Sequence, residues 1–139
     1  MINNTCYNSS GCGSYQKWRI GNDVRSILLA NSGITTQVGQ NIFPLIAPEN
    51  VKGDFIIYQR DKYSKQTTKM GVYEDDCQLV VVAVAESYDD ALNLAELIDN
   101  TLTGKHIKDD GTRITIDLVD STEAFEDLKY IETLLFKIK

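Results

Sequence analysis

Apolar residues along this chain follow a helical spacing in two places and an alternating or continuous spacing in four or five others. Ile20, Val24, Ile27 and Leu28 share one stripe, which predicts a first helix from near Asn22 to Asn31. Asn22 or Gly21 is placed to cap it, Asp23 lies at its positive end, and Ser32-Gly33 is read as its stop. After a Gln/Gly/Asn-rich connection, Ile42 to Ile46 is an extended piece that Pro44 confines to a sheet edge or a link. Pro48 to Gly53 reads as a turn. Phe55 to Arg60, with adjacent isoleucines and Tyr58, predicts a strand. Asp61 to Gly71 lacks apolar periodicity and predicts a long hairpin loop.

The next strand runs from Tyr73 to Ala85. Its centre, Leu79 to Ala85, is apolar at every position, which predicts cover on both faces. Helices would cover one; a neighbouring subunit or more of the same chain would cover the other. Ser87 then caps a second helix, with Asp89 and Asp90 in its first turn, a stripe of Ala91, Leu94, Ala95, Ile98 and Leu102, and Gly104 as the stop. Asp109-Asp-Gly111 is a turn signal. From Thr112 to Val119 the pattern alternates, Ile114, Ile116 and Leu118 on one side and Thr115 and Asp117 on the other. Asp120 to Asp127 reads as an acidic connection carrying Phe125, and Tyr130 to Ile138 as the last strand. The order α-β-β-β-α-β-β predicts an α+β fold, a single mixed or antiparallel sheet with two helices packed on one face. Residues 1–17 are read as a flexible extension and residues 18–139 as one domain.

Composition narrows the function classes. The 139 residues suffice for one domain that folds without staples. A net charge of −6 repels phosphate backbones, so a sequence-reading grip on duplex DNA is not expected, although DNA in passage is compatible with it. The polar N-terminus has no apolar core like that of a signal peptide, and Leu79 to Ala85 is far short of the roughly 20 residues that cross a bilayer. The chain therefore reads as a soluble protein made in a cytoplasm. Its three cysteines, Cys6, Cys12 and Cys77, match neither a disulfide framework nor a zinc spacing.

Little in the sequence points to catalysis. Gly11-Cys-Gly13 precedes no strand and reads as tail flexibility rather than a phosphate loop. His106 is the sole imidazole and reads as a solvated loop residue, leaving any serine or cysteine without a base. Asp127-Leu-Lys129 has the carboxylate-x-lysine form of metal-dependent nucleases, with Asp117 or Asp120 upstream to share an ion. The competing reading, a solvated turn between two strands, is preferred. No cofactor or metal is expected.

From the first helix onward the chain resembles the phage tail-completion family, the tail-terminator-like proteins of the head–tail junction. The resemblance is carried by Val24-Arg-Ser-Ile-Leu-Leu29, Ile42-Phe-Pro-Leu-Ile-Ala-Pro48 and Phe55-Ile-Ile-Tyr58. It continues through Asp76-Cys-Gln-Leu-Val-Val-Val-Ala-Val-Ala85, Ser87-Tyr-Asp-Asp-Ala-Leu-Asn-Leu-Ala-Glu-Leu-Ile98 and the closing strand Glu132-Thr-Leu-Leu-Phe-Lys-Ile138. Gly53-Asp54 stands where the family often has proline, and Ala83 where it often has tryptophan. The resemblance implies a virion protein forming a homo-oligomeric ring, most often a hexamer, on the last ring of the tail tube. Its partners would be the tail tube protein and the head–tail connector, with DNA only as cargo through the lumen.

On that basis Arg60 to Met70 is expected to contact a neighbour. Lys62, Lys65 and Lys69 would meet an acidic patch such as Glu74-Asp75-Asp76, with Arg60 and Met70 flanking and Tyr63 as an anchor. A solvated hairpin is the alternative. A non-viral interaction or ligand-binding module and the nuclease are the competing functions, since sheets of this kind host many activities.

Overall fold

The computed structural model describes residues 17–67, 73–108 and 111–139. A 3-10 turn at Lys17–Arg19 leads into helix α1 (Ile20–Leu29) and a second short helix, α2 (Ser32–Val38). The strands are β1 (Ile42–Pro44), β2 (Phe55–Thr67), β3 (Tyr73–Ala85), β4 (Gly104–Ile107), β5 (Arg113–Glu126) and β6 (Lys129–Ile138); helix α3 (Tyr88–Leu102) lies between β3 and β4. They form a six-stranded mixed sheet in the order β1-β2-β3-β6-β5-β4. β1 runs parallel to β2 and every other pair is antiparallel. The fold is α+β, as the sequence pattern implies, with one helix and one strand more than that pattern shows.

α1 and α3 lie against the same face of the sheet. Ile20, Val24 and Leu28 from α1, Ala91, Leu94, Ile98 and Leu102 from α3, and Leu79, Val81, Ala83, Phe136 and Ile116 from the strands are all fully buried. Small side chains bring the layers close. Ala91 does so on α3, and Gly21 on α1 stands where an added Cβ would come within 2.9 Å of the Tyr58 ring. α3 begins as its sequence predicts, with the Ser87 hydroxyl accepting from the Asp90 amide at 3.1 Å.

Several boundaries differ from expectation, each for a local reason. α1 starts two residues early and has no side-chain cap; Arg19 holds the cap position. Ser32-Gly33 does not end the helical region but opens α2, because the Asn31 side chain accepts from the Ile34 amide (3.1 Å) and donates to Thr101 on α3 (2.7 Å). The expected loop from Asp61 is instead strand as far as Thr67, paired with β3 and displaced only by a bulge between Arg60 and Lys62. The expected connection from Asp120 is likewise strand, to Glu126, paired with β6 past a bulge between Leu118 and Asp120. Residues 61–65 are exposed or at most half-buried, as at Tyr63, and residues 120–126 are exposed, so neither stretch shows the alternation of a half-buried strand. His106 is in β4, not a loop, and its Nε2 donates to the Leu102 carbonyl at 2.7 Å, satisfying the C-terminus of α3.

A two-residue turn, Asp127-Leu128, joins β5 to β6, with φ of 52° and 63°. Aspartate tolerates that left-handed region; leucine does not, and Leu128 is 83% exposed, so no packing offsets the strain. Leu128→Gly should therefore stabilise the chain by about 1 kcal/mol, raising Tm by about 4 °C in a circular-dichroism melt. Asn31→Ala, which removes both the α2 cap and the Thr101 bond, should destabilise by about 1–2 kcal/mol in urea unfolding.

Candidate assembly surfaces

β2 and β3 extend past the end of β6 as one hairpin arm, whereas the β5–β6 hairpin, the second arm, turns at the opposite end of the sheet with β6 paired to β3 as far as Tyr130. The opposition follows from register. Cys77, near the first arm, pairs with Ile138, whereas Ala85 at the far end of β3 pairs with Tyr130 beside the turn of the second arm.

The base of the first arm is fastened by aromatic and cationic groups. The Arg60 guanidinium lies 4.9 Å from the Trp18 ring centre, and its Nη1 donates to the Trp18 carbonyl at 3.0 Å. Trp18 meets Tyr63 edge-on at 5.4 Å, and the Tyr63 hydroxyl accepts from the Lys17 amide at 3.2 Å. Arg60 and Tyr63 thus hold the start of the domain on β2. Lys62 forms an ion pair with Asp76 at 2.9 Å within the same chain. That hydrogen bond is the main reason the Asp76 carboxyl sits below its ordinary pKa. In the ladder Lys65 stands opposite Asp75, and Gln66 opposite Glu74. The acidic and basic residues expected to meet across copies are therefore also neighbours within one hairpin. Lys69 and Met70 lie outside the described residues.

The face of the sheet away from the helices is apolar at its centre. Phe43, Ile57, Val80, Val82, Ile131 and Leu135 are all half-buried there, whereas the partners of these strands on the helix side are almost fully buried. The continuous apolar run of β3 therefore has one face packed by helices, and among the described residues no helix lies on the other.

The second arm is acidic. Asp120, Glu123 and Glu126 line β5, and Val119, Phe125 and Leu128 are more than half exposed along it. Counting back from the turn pairs Glu126 with Lys129 and Glu123 with Glu132. The sequence does not mark the Glu123–Glu132 pair, because residues 120–127 lack the alternation of a half-buried strand; the pair follows from a hairpin centred on Asp127-Leu128. Glu132 is buried, at 9% exposure, and its Oε2 has no hydrogen-bond partner. Glu123 accepts from the Tyr88 hydroxyl at 3.0 and 3.2 Å, which raises the Tyr88 pKa. Burial first, then the hydrogen bond and charge of Glu123, push the Glu132 carboxyl up to about 7.

These carboxylates do not converge with the aspartates considered as nuclease ligands. Asp117 pairs with Lys139 at 3.8 Å near one end of β5, while Asp127 occupies the turn beyond its other end. Among the described residues no group of three or more His, Cys, Asp or Glu side chains could hold a metal ion. No helix there is long and apolar enough to cross a membrane. Cys77 is buried in the core; Cys6 and Cys12 lie outside the described residues.

No protein-family model and no curated protein sequence matches the chain. Among solved structures, its fold is similar to that of a chain in the virion of a native gene transfer agent particle. The TM-score is 0.66 at 13% sequence identity, and the match covers 83% of this chain and 89% of that one. The two share a fold along nearly their whole lengths.

The buried Glu132 carboxyl makes stability depend on pH in an unusual direction for acids. Because the folded pKa of Glu132 lies above its unfolded value of 4.5, the folded state binds the extra proton. The stabilisation is complete below pH 4.5 and is lost as pH rises through about 7. Urea unfolding should show a stability loss on the order of 2 kcal/mol between pH 5 and pH 8. Glu132→Gln should flatten that dependence and be the more stable protein at pH 8.

Proposed function

We propose that this chain is a structural subunit of a phage-like virion, acting in tail completion: it caps the tail tube and joins it to the head connector. The observation that carries this reading is the fold shared, at 83% and 89% coverage, with a chain of a gene transfer agent virion. The resemblance of Ile42 to Pro48, Asp76 to Ala85 and Ser87 to Ile98 to the tail-completion family supports the specific place in the particle.

The surface fits a protein that works by being bound on several sides. One face of the sheet is apolar and uncovered by helices, and exposed Trp18, Leu45, Ile46, Phe125 and Leu128 are scattered along the borders and turns of the sheet. Copies of the chain would form a ring, taken as a hexamer on the family's pattern, between the tube protein and the connector. Arg60, Lys62, Tyr63, Lys65, Lys69, Met70, Glu74, Asp75 and Asp76 belong to an arm that would reach a neighbouring copy or an adjoining ring. A net charge of −6 suits a lumen that DNA traverses without sticking. In this reading the protein binds and positions; it carries out no reaction.

Deleting residues 64–69 from the gene in its phage or prophage should leave heads and tails that accumulate unjoined, or tails of irregular length, in negative-stain electron microscopy. Normal joined particles would refute a role for the arm. A gold-labelled antibody against the intact protein should mark the junction of head and tail; labelling at the distal tip or on the head shell would refute the placement.

A further inference from the structure

The two borders of the sheet are each only half closed. β1 pairs with β2 at Ile56, Ile57 and Tyr58 alone, so from Gln59 to Thr67 β2 is itself the border strand among the described residues. At the other side β4 pairs with β5 only from Arg113 to Ile116, so the rest of β5, to Glu126, is the border. Long border strands in a monomer are templates for pairing with further chain, and natural sheets blunt them with charge. Here the charges are opposite. The β2 border carries Arg60, Lys62 and Lys65 against Asp61, whereas the β5 border carries Asp117, Asp120, Glu123 and Glu126 with no cation.

We propose that successive copies of this chain join head-to-tail, the cationic β2 border of one pairing antiparallel with the anionic β5 border of the next, so that one sheet runs on from copy to copy. The direction is fixed by topology: β2, β3, β6 and β5 alternate, so a copy placed beside β2 in the same orientation offers an antiparallel β5. The faces agree as well. Lys62 lies on the side of the sheet away from the helices, as do Asp120 and Glu126, while Arg60 and Glu123 lie on the helix side. Apolar anchors flank both borders: Trp18, Leu45 and Ile46 are 63%, 67% and 78% exposed beside β2, and Val119, Phe125 and Leu128 are 54%, 54% and 83% exposed along β5 and its turn.

The geometry also sets an offset. The middle of the β2 border, Tyr63, stands level with Ile138 through Cys77, and the middle of the β5 border, Thr122, stands level with Thr133. The two levels differ by about five residues along β6, or roughly 16 Å at about 3.3 Å per residue. Neighbouring copies are therefore displaced along the strands, which tilts the strands to the axis of any ring they close, as in a barrel.

The inference rests on the reading of the chain as a repeated virion part, but its test does not. Two charge-reversed variants, Lys62→Glu/Lys65→Glu and Asp120→Lys/Glu126→Lys, are purified, checked for native circular dichroism, and compared with wild type by analytical ultracentrifugation at low salt. Wild type should sediment as a multi-copy species; each variant alone, its two borders no longer opposite in charge, should associate on the order of tenfold more weakly or worse. An equimolar mixture should recover the multi-copy species, since each variant then supplies the border the other needs. A wild type that remains a single copy at its highest soluble concentration would overturn the proposal. So would variants that keep the wild-type mass, folded variants that fail to recover on mixing, or association abolished instead by Ile57→Lys/Val82→Lys on the open face. Incorporation of the tagged chain into particles is scored separately. Its absence would defeat the virion reading while leaving border pairing standing, and incorporation without border pairing would do the reverse.

Discussion

A sheet of six strands at a spacing of about 4.8 Å is about 24 Å across from first to last strand, and a packed helix covers about 10 Å of it. With α1 and α3 as its only long helices among the described residues, the chain has enough helix for one face and none for the other. That shortage governs the rest of the molecule. The helix-side residues of β3 and β6 form a dense core of aliphatic side chains around Phe136, while the residues between them on the same strands, apart from buried Val84, stay half-exposed. The hydrophobic effect can therefore hold the layers together and still leave apolar surface uncovered on the reverse.

The same constraint explains the two arms. Where helices lie over the strands, each residue pair in the ladder is reinforced by burial beneath it. Past the ends of the helices only the ladder remains, and the strands become ribbons fastened by individual contacts. Arg60 on Trp18, Tyr63 on the Lys17 amide and Lys62 on Asp76 perform that task on one arm. At the β5–β6 hairpin the first turn of α3 still reaches the strands, where Tyr88, Tyr130 and Phe125 pack in series with ring centres 5.7 and 4.8 Å apart. The buried Glu132 beside these rings is a costly group in this arrangement, and its burial next to the charge of Glu123 favours its neutral, protonated form.

Legibility in the sequence tracks burial closely. α3, the alternating first half of β5 and the apolar centre of β3 could be read directly, because each has a dry side that imposes a period on the residues. The outer halves of β2 and β5 could not, since a strand wet on both faces has no period to display. α2 was hidden by Gly33 and by two threonines that disfavour helix; only Asn31 with Ile34 and Val38 at helical spacing marked it. β4 is four residues long and was masked by the neighbouring turn signal. Of the residues expected at an interface, Arg60, Lys62, Tyr63 and Lys65 stand on a strand and not in the loop that the sequence implies, and the pairing of Lys62 with Asp76 follows only from the strand register.

Because the β2–β3 arm and the β5–β6 turn lie at opposite ends of the sheet, the two ends have unlike chemistry. One end presents a ribbon with cations along its outer strand; the other presents carboxylates and a bare leucine at a tight bend. Any array in which all copies share one orientation inherits this asymmetry as two dissimilar rims. A coupling between two different cylinders requires that kind of vectorial part, whereas a fold with matching ends would dock either way up.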